Sequence, residues 1–260
     1  MPILLIVGGG LFGSQAAAYA RRKGIEAVVF DAAMTGAASP ASAGLFKEEW
    51  AGKKLREHFH YAIPVLELLY GVGQVSLTRD DGGRESLLFL PPRTILEPAP
   101  LRQRVTSIGD GWLEAEGVRF EGWVYIAAGV WCEQFLPGLG VTGKAGASFT
   151  FQGEREGRMR QVARSRQAVA FVRDPGCTYF SDGAAELHYT EEHDRQTLYR
   201  AADMGLTNPI NRFWGRRPYT PGGPVFRKIA GRTWLATGGR KMGTILGASY
   251  ARRLVEEELR

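Results

Sequence analysis

A glycine-rich turn between an apolar run and a helical run constrains this chain more than any other feature of its sequence. The turn, VGGGLFG at residues 7–13, follows the apolar residues 3–7 and leads into residues 12–23, which have a helical composition. A second apolar run, residues 27–30, ends at Asp31. Apolar runs separated by a helix and by tight turns predict a βαβ unit with two parallel strands.

The glycine spacing indicates what this unit binds. Gly8, Gly10 and Gly13 fit G-x-G-x-x-G, and Asp31 lies 23 residues after Gly8. In a dinucleotide site the glycines permit the turn, the approach of a pyrophosphate and close helix packing, and the later carboxylate accepts a ribose hydrogen bond. The alternatives are a tight turn without a ligand and, for Asp31, a helix cap or a surface turn. Dinucleotide binding is favoured, and an acidic Asp31 disfavours the 2′-phosphate of NADP.

The order of the remaining runs predicts the fold class. Strands and helices alternate at both ends of the chain, whereas the middle is richer in β runs, including a hairpin around DDGG at residues 80–83 and a run at 178–189. We expect an α/β protein in which a Rossmann-like FAD-binding domain is interrupted by a smaller, β-rich substrate domain. The predicted ranges are 1–49, 94–144 and 219–260 for the first domain, and 50–93 and 145–218 for the second.

Composition and charge narrow the function classes. The chain has 260 residues, two cysteines, four histidines and a formal net charge of +6. Neither the cysteines nor the histidines have the spacing of a metal site, and no apolar run is long enough to span a membrane. Without a targeting segment the expected location is the cytoplasm. The basic segment 153–167 is interpreted as a solvated face, with nucleic-acid binding as the alternative that we do not favour.

Four further motifs follow the glycine turn in order: TGAASPASAGLF at 35–46, YIAAGVW at 125–131, RFWGRRP at 212–218 and LATGGRKMGTILGAS at 235–249. With these motifs the chain resembles the D-amino-acid oxidase superfamily, most closely its glycine oxidase branch, as a shortened member. The resemblance implies an FAD-dependent enzyme that oxidises a small amine or amino acid by hydride transfer to flavin N5. It also implies that oxygen or another acceptor takes the electrons.

The resemblance implies cofactor contacts in four parts of the chain: the glycine turn with Asp31, a loop of small residues, a pair of strand ends and the start of the last helix. Small side chains in the loop would let backbone N–H groups approach the ring and the phosphates; the alternative for this loop is a flexible linker. The expected cofactor-binding residues are Gly8, Gly10, Leu11, Phe12, Gly13, Asp31, Ala32, Ala38, Ser39, Ala43, Gly44, Leu45, Val105, Ala128, Gly129, Gly239, Arg240, Lys241, Met242, Gly243, Thr244 and Ile245.

On the substrate side, the resemblance points to two residues. Arg217, in WGRRP, matches an arginine that binds the substrate carboxylate, and the alternative is a salt bridge or a surface position. Tyr179, in GCTYFSDG, matches a tyrosine hydroxyl over the substrate, and the alternative is a packed strand aromatic. Cys177 precedes the Arg217 motif, so it is not expected to tether the flavin.

Several departures from the family pattern affect the substrate domain. FSDGAAE follows Tyr179 in place of the usual apolar-Pro-Arg run, and Gly239 stands where a histidine is usual. Two alternatives to a complete enzyme therefore remain. One is a flavin-binding subunit or interaction module that needs a partner chain, and the other is a flavoenzyme acting on an aminomethyl group of tRNA. A homo-oligomer is also compatible with the sequence.

Overall fold

The computed structural model describes residues 3–163 and 166–259. The strands, in chain order, are β1 (Leu4–Val7), β2 (Ala27–Phe30), β3 (Leu45–Phe46), β4 (Gly73–Arg79), β5 (Arg84–Phe89), β6 (Val105–Gly109), β7 (Trp112–Ala115), β8 (Val118–Glu121), β9 (Trp123–Ile126), β10 (Thr142–Gln152), β11 (Arg158–Ala163), β12 (Arg166–Asp174), β13 (Cys177–Ser181), β14 (Pro209–Tyr219), β15 (Val225–Ala230) and β16 (Thr233–Thr237). The helices are α1 (Leu11–Arg22), α2 (Glu48–Tyr70), α3 (Pro92–Ile95), α4 (Glu191–Asp203) and α5 (Gly243–Arg253), with 3₁₀ turns at Ser39–Ala41 and Gly129–Gln134 and a π-type turn at Leu254–Glu258.

The first sheet has the strand order β15-β16-β9-β1-β2. Strands β2, β1, β9 and β16 are parallel, and β15 is antiparallel at the edge. Every residue of β1 is buried, as expected for a parallel strand that is covered on both faces. The predicted βαβ unit is confirmed, because β1 pairs with β2 from Leu4 opposite Ala27 to Val7 opposite Phe30.

Helices α1, α5 and α2 form a layer on this sheet and share one hydrophobic core with it. Gly247 of α5 allows a close approach to α1, because a Cβ atom there would lie 3.1 Å from the amide group of Gln15. Helix α2 joins the same layer, and its His58 Nδ1 lies 2.8 Å from the hydroxyl oxygen of Ser249 on α5. The segment 50–70, assigned above to the second domain, thus contacts the helices of the first; the domain division itself stays a prediction.

The second sheet has the strand order β14-β10-β13-β12-β11-β4-β5-β3, and β6, β7 and β8 form a third, three-stranded sheet. The hairpin predicted around DDGG is confirmed by the antiparallel pair β4 and β5. The run at 178–189 is strand only as far as Ser181, where Asp182 and Gly183 begin a turn. The predicted fold class, a Rossmann-like α/β layer with a β-rich second layer, is confirmed.

Candidate cofactor and substrate cleft

A cleft of about 710 Å³ lies where the parallel strands end. Val7, Phe30 and Ala127 line it at the ends of β1, β2 and β9. Tyr179 and Pro218 line it from the eight-stranded sheet. Ligands of open parallel sheets bind at the carboxyl ends of the strands, so this position is typical of a cofactor site.

The glycine turn forms one wall of the cleft. Gly8 has a φ of +107°, and a Cβ atom there would lie 2.6 Å from the carbonyl oxygen of Ala127. A Cβ atom at Gly13 would lie 1.9 Å from the carbonyl oxygen of Gly8, so this glycine allows α1 to pack against the turn. Gly10 precedes α1, and the N–H of Leu11 donates a hydrogen bond to the Ser39 hydroxyl over 3.0 Å.

Asp31 lies at the end of β2 and lines the cleft. One of its carboxylate oxygens accepts a hydrogen bond from the N–H of Ala33 over 3.0 Å. The other lies 3.4 Å from the guanidinium of Arg102, which is exposed. Asp31 therefore forms a local turn, one of the two alternatives left open by the sequence, and at the same time faces the cleft.

Three side chains of the eight-stranded sheet hold the small-residue loop, residues 35–46, in place. The Tyr179 hydroxyl donates to the Ala41 carbonyl oxygen over 2.8 Å, and the Ser148 hydroxyl donates to the same oxygen over 3.2 Å. The guanidinium of Arg173, which is buried, donates to the Ser42 carbonyl oxygen over 3.1 Å. A Cβ atom at Gly44, where φ is +74°, would lie 2.2 Å from a neighbouring carbonyl oxygen. These contacts fix the conformation of the loop, which is not that of a flexible linker.

The start of α5 forms the wall opposite the loop and meets the start of α1. A Cβ atom at Gly239 would lie 2.8 Å from the ring of Phe12, and one at Gly243 would lie 3.2 Å from Cδ1 of Leu11. Neither first turn contains an acidic side chain, and both turns lie within the described residues. Two helix N-termini, each with a partial positive charge, therefore converge on one cleft.

Cationic side chains from β14 and from the segment before α5 line another part of the cleft. Arg217, on β14, donates to the Ala184 carbonyl oxygen over 2.8 Å. Arg216, the next residue, is exposed and lies over the ring of Trp131 at 5.3 Å. Lys241 is accessible from the open cleft, yet the protein around it excludes much of the water near its amine. This desolvation, together with the charges of Arg217 and Arg166, lowers the pKa of Lys241.

The environment of Tyr179 differs from the one expected of a group that contacts substrate. Its side chain is 1% exposed, and its hydroxyl is bonded to the Ala41 carbonyl. Burial raises the pKa of this hydroxyl. The ring lies 4.5 Å from the guanidinium of Arg173. The residue therefore has the contacts of the packed strand aromatic considered above.

All but three of the predicted site residues line this cleft. The exceptions are Gly13, which packs against Gly8, and Thr244 and Ile245, which are buried in α5. Their roles, like those of the residues that do line the cleft, stay predictions. Sequence reasoning missed the following lining residues: Val7, Phe30, Met34, Ala37, Ser42, Trp50, Leu55, Gln103, Arg104, Ala127, Val130, Trp131, Gln134, Phe135, Gln167, Val169, Ser181, Gly183, Arg216, Pro218, Tyr219 and Thr237.

The cysteines do not line this site, and of the described residues in the basic segment 153–167 only Gln167 lines it. Cys132 is buried beneath the cleft, and burial raises the pKa of its thiol to about 12. Cys177 is not among the described residues that line the cleft. In segment 153–167, Arg160 pairs with Asp80 at 3.2 Å, and residues 164–165 lie outside the described residues. The described helices include none that is long and apolar enough to cross a membrane.

No protein-family model and no curated protein sequence matches this chain. Solved structures do match it. Iminodiacetate oxidase from Chelativorans sp. BNC1 has a TM-score of 0.72 and 17% identity, over 97% of this chain and 94% of that one. Glycine oxidase from Bacillus cereus ATCC 14579 has a TM-score of 0.73 and 14% identity, over 100% of this chain and 99% of that one.

A third structure, an FAD-dependent oxidoreductase from Pseudomonas aeruginosa, has a TM-score of 0.68 and 16% identity, over 100% of this chain and 92% of that one. Identities this low support a conclusion about the fold alone. The resemblance expected from the motifs is confirmed at that level, and the chain has the fold of these oxidases and oxidoreductases.

Proposed function

We propose that the cleft binds FAD and that the protein is an FAD-dependent oxidoreductase acting on the C–N bond of a small amine or amino acid. The observation that carries this proposal is the contact between the two helix starts. Phe12 lies beside Gly239 and Leu11 beside Gly243, so two sets of free helix N–H groups face one space. Such an arrangement suits a ligand with several negatively charged groups along its length.

The residues present fit a flavin dinucleotide. The volume of about 710 Å³ is within the range of roughly 300–1,000 Å³ that is usual for cofactor sites. Gly8, Gly44 and Gly239 have no side chain, and at each of them a Cβ atom would collide with neighbouring atoms of the cleft walls. Asp31 faces the end of the cleft where the resemblance predicts the ribose. In this assignment, Leu11 and Phe12 line the pyrophosphate turn, and Phe12 offers its backbone N–H, since that of Leu11 already donates to the Ser39 hydroxyl.

Arg217 is assigned to the substrate carboxylate. One guanidinium nitrogen donates to the Ala184 carbonyl, which fixes the planar group and leaves its other N–H donors for a ligand. When bound, FAD supplies the acceptor for the hydride that leaves the carbon next to the amine nitrogen. The protein contributes orientation and the exclusion of water. The resulting imine hydrolyses to an oxo compound and an amine or ammonia.

Tyr179 is assigned a positioning role in place of the substrate contact expected from its motif. Its hydroxyl and that of Ser148 both donate to Ala41, next to the loop residues that are assigned to the flavin. We also propose the domain division given above, in which α2 belongs to the second domain and packs in the helical layer of the first. We propose as well that oxygen or another molecule accepts the electrons and that the protein is located in the cytoplasm.

A visible absorption spectrum of the purified protein tests the cofactor assignment directly. We expect flavin bands in the protein as purified or after FAD is added and the excess removed. Without oxygen, an amine or amino acid substrate should bleach these bands. A colourless protein that does not retain added FAD would contradict the proposal. A stable flavin that no amine bleaches, together with a co-purifying protein, would instead favour the flavin-binding subunit.

A matched pair of arginine variants tests the carboxylate assignment. Arg217→Met removes a charge that lines the cleft, whereas Arg227→Met removes the charge of an exposed residue on β15 that does not line it. Loss of a hydrogen bond to a charged group costs about 1.5–3 kcal/mol, so Arg217→Met should weaken carboxylate binding about ten- to a hundredfold. Equal effects of the two variants on the bleaching rate would contradict the assignment.

A further inference from the structure

Three cationic side chains surround one turn beside the cleft. The turn is Gly183–Ala184, and a Cβ atom at Gly183 would lie 3.4 Å from Cγ of Arg166 and 3.6 Å from Nζ of Lys241. The Arg217 guanidinium donates to the Ala184 carbonyl. Lys241, Gly183 and Arg217 line the cleft, and Arg166 does not line it but lies against Gly183. The three side chains come from β12, β14 and the approach to α5.

Few negative charges balance this cluster. Asp182 is fully buried and accepts a hydrogen bond from the N–H of Ala184, but its carboxylate already pairs with Arg200. Within residues 3–163 and 166–259, no carboxylate oxygen lies within the 4.0 Å ion-pair distance of Arg166, Arg217 or Lys241.

Arg166 also has an unsatisfied donor. Its Nε is buried, and among the described residues it has no hydrogen-bond partner. An unpaired donor on a charged group is costly to bury.

The cost of holding these charges together indicates what binds there. Lys241 has a lowered pKa because of desolvation and because Arg217 and Arg166 repel its charge. A ligand with one carboxylate would neutralise one of the three cations and leave the other two close together. A ligand with two carboxylates would relieve most of the repulsion and offer oxygens to all three side chains.

We propose that the substrate is an amine that carries two carboxylates, one held by Arg217 and Lys241 and the other by Arg166 and Lys241. This inference rests on the proposed function, because it names the substrate class of the same cleft. It also identifies Arg166 as a residue that determines specificity. The resemblance did not predict a role for this residue.

Pairs of carboxylic acids of equal chain length test the inference on the FAD-loaded protein. Succinate and butyrate, or glutarate and valerate, differ by one carboxylate and cannot be oxidised at a C–N bond. Binding is followed by the change in the visible flavin spectrum and, independently, by titration calorimetry. We expect the dicarboxylate to bind about ten- to a hundredfold more tightly, the effect of one added charged hydrogen-bonding group. Equal affinities, or binding of neither acid, would overturn the inference.

A variant pair separates a specific site from general attraction to a basic protein. Arg166→Gln should lower the ratio of succinate affinity to butyrate affinity toward one. Arg227→Gln removes an equal charge from an exposed position on β15, outside the cleft, and should leave the ratio unchanged. Equal loss in both variants would overturn the inference. Failure to retain FAD would refute the proposed function, whereas retained FAD with equal ligand affinities would refute only the substrate class.

Discussion

The two hydroxyl groups beneath the small-residue loop allow a quantitative test of whether Tyr179 positions the loop or contacts the substrate. The Ala41 carbonyl oxygen accepts from Tyr179 over 2.8 Å and from Ser148 over 3.2 Å. Tyr179→Phe removes one of these donors but keeps the ring, and with it the contact at 4.5 Å to the Arg173 guanidinium. The carbonyl then still accepts from Ser148, so we expect a loss of about 1 kcal/mol in the free energy of unfolding.

The double variant Tyr179→Phe with Ser148→Ala leaves the Ala41 carbonyl without either partner. A polar group unsatisfied in this way costs about 1–3 kcal/mol, so the double variant should be less stable than the sum of the single variants. Urea unfolding of the wild type, both single variants and the double variant measures this coupling energy. Where the lost hydrogen bonds disorder the loop in the folded protein, the affinity for the FAD proposed above should fall too, by at most about fivefold for each kcal/mol lost.

A different pattern would refute this reasoning. If Tyr179 contacts the substrate, Tyr179→Phe should slow flavin bleaching by about a hundredfold, as expected for loss of a group that acts in catalysis. In that case the unfolding free energy and the FAD affinity would stay at their wild-type values. An additive double variant would likewise show that the two hydroxyl groups do not share the Ala41 carbonyl.

Two further predictions concern stability. Gly13→Ala places a Cβ atom only 1.9 Å from the carbonyl oxygen of Gly8. This overpacking should lower the free energy of unfolding, measured in urea, by about 1–3 kcal/mol. Gly222→Ala adds a Cβ atom in open space and should have little effect. The carboxyl of Glu256 accepts a hydrogen bond from the Tyr19 hydroxyl, and this bond is the main cause that lowers its pKa from 4.5 to about 2. The carboxylate therefore stabilises the fold above pH 4.5, and this contribution is lost as the pH falls toward 2. Glu256→Gln should flatten that part of the pH dependence of unfolding, and an unchanged profile would contradict the assignment.

The parts of the structure that depend on local sequence could be predicted well. Helix α1 begins at Leu11 and ends at Arg22, within one residue of the prediction, because a glycine turn and a run of small residues define it locally. The walls of the cleft could be predicted for the same reason, since each lies within one short motif; their contacts with a cofactor stay predictions. Convergence of the two helix starts followed only from the resemblance, because no local pattern brings residues 12 and 239 together.

Elements that depend on distant partners could not be predicted. Strand β14 contains Gly215, three arginines and Pro218, a poor strand pattern, but pairing with β10 along ten residue pairs holds it extended. The residues of β12 and β13 that line the cleft, among them Gln167, likewise depend on the pairing of β13 with β10 and of β12 with β13.

Helix α2 continues through Pro64, although a proline inside a helix usually interrupts it. Pro64 is exposed, while Ala62, Val65 and Leu66 are buried in the core and hold the helix through this position. The non-helical residue is Gly52, with a φ of 62°.

The contact between Phe12 and Gly239 also has a consequence for the order of folding. A Cβ atom at Gly239 would lie 2.8 Å from the Phe12 ring, although the two residues are far apart in the sequence. Contacts between residues so far apart in sequence form slowly, after most of the chain has collapsed. We therefore expect the cleft to be completed late in folding, and the ligand proposed for it to bind a chain that is already compact.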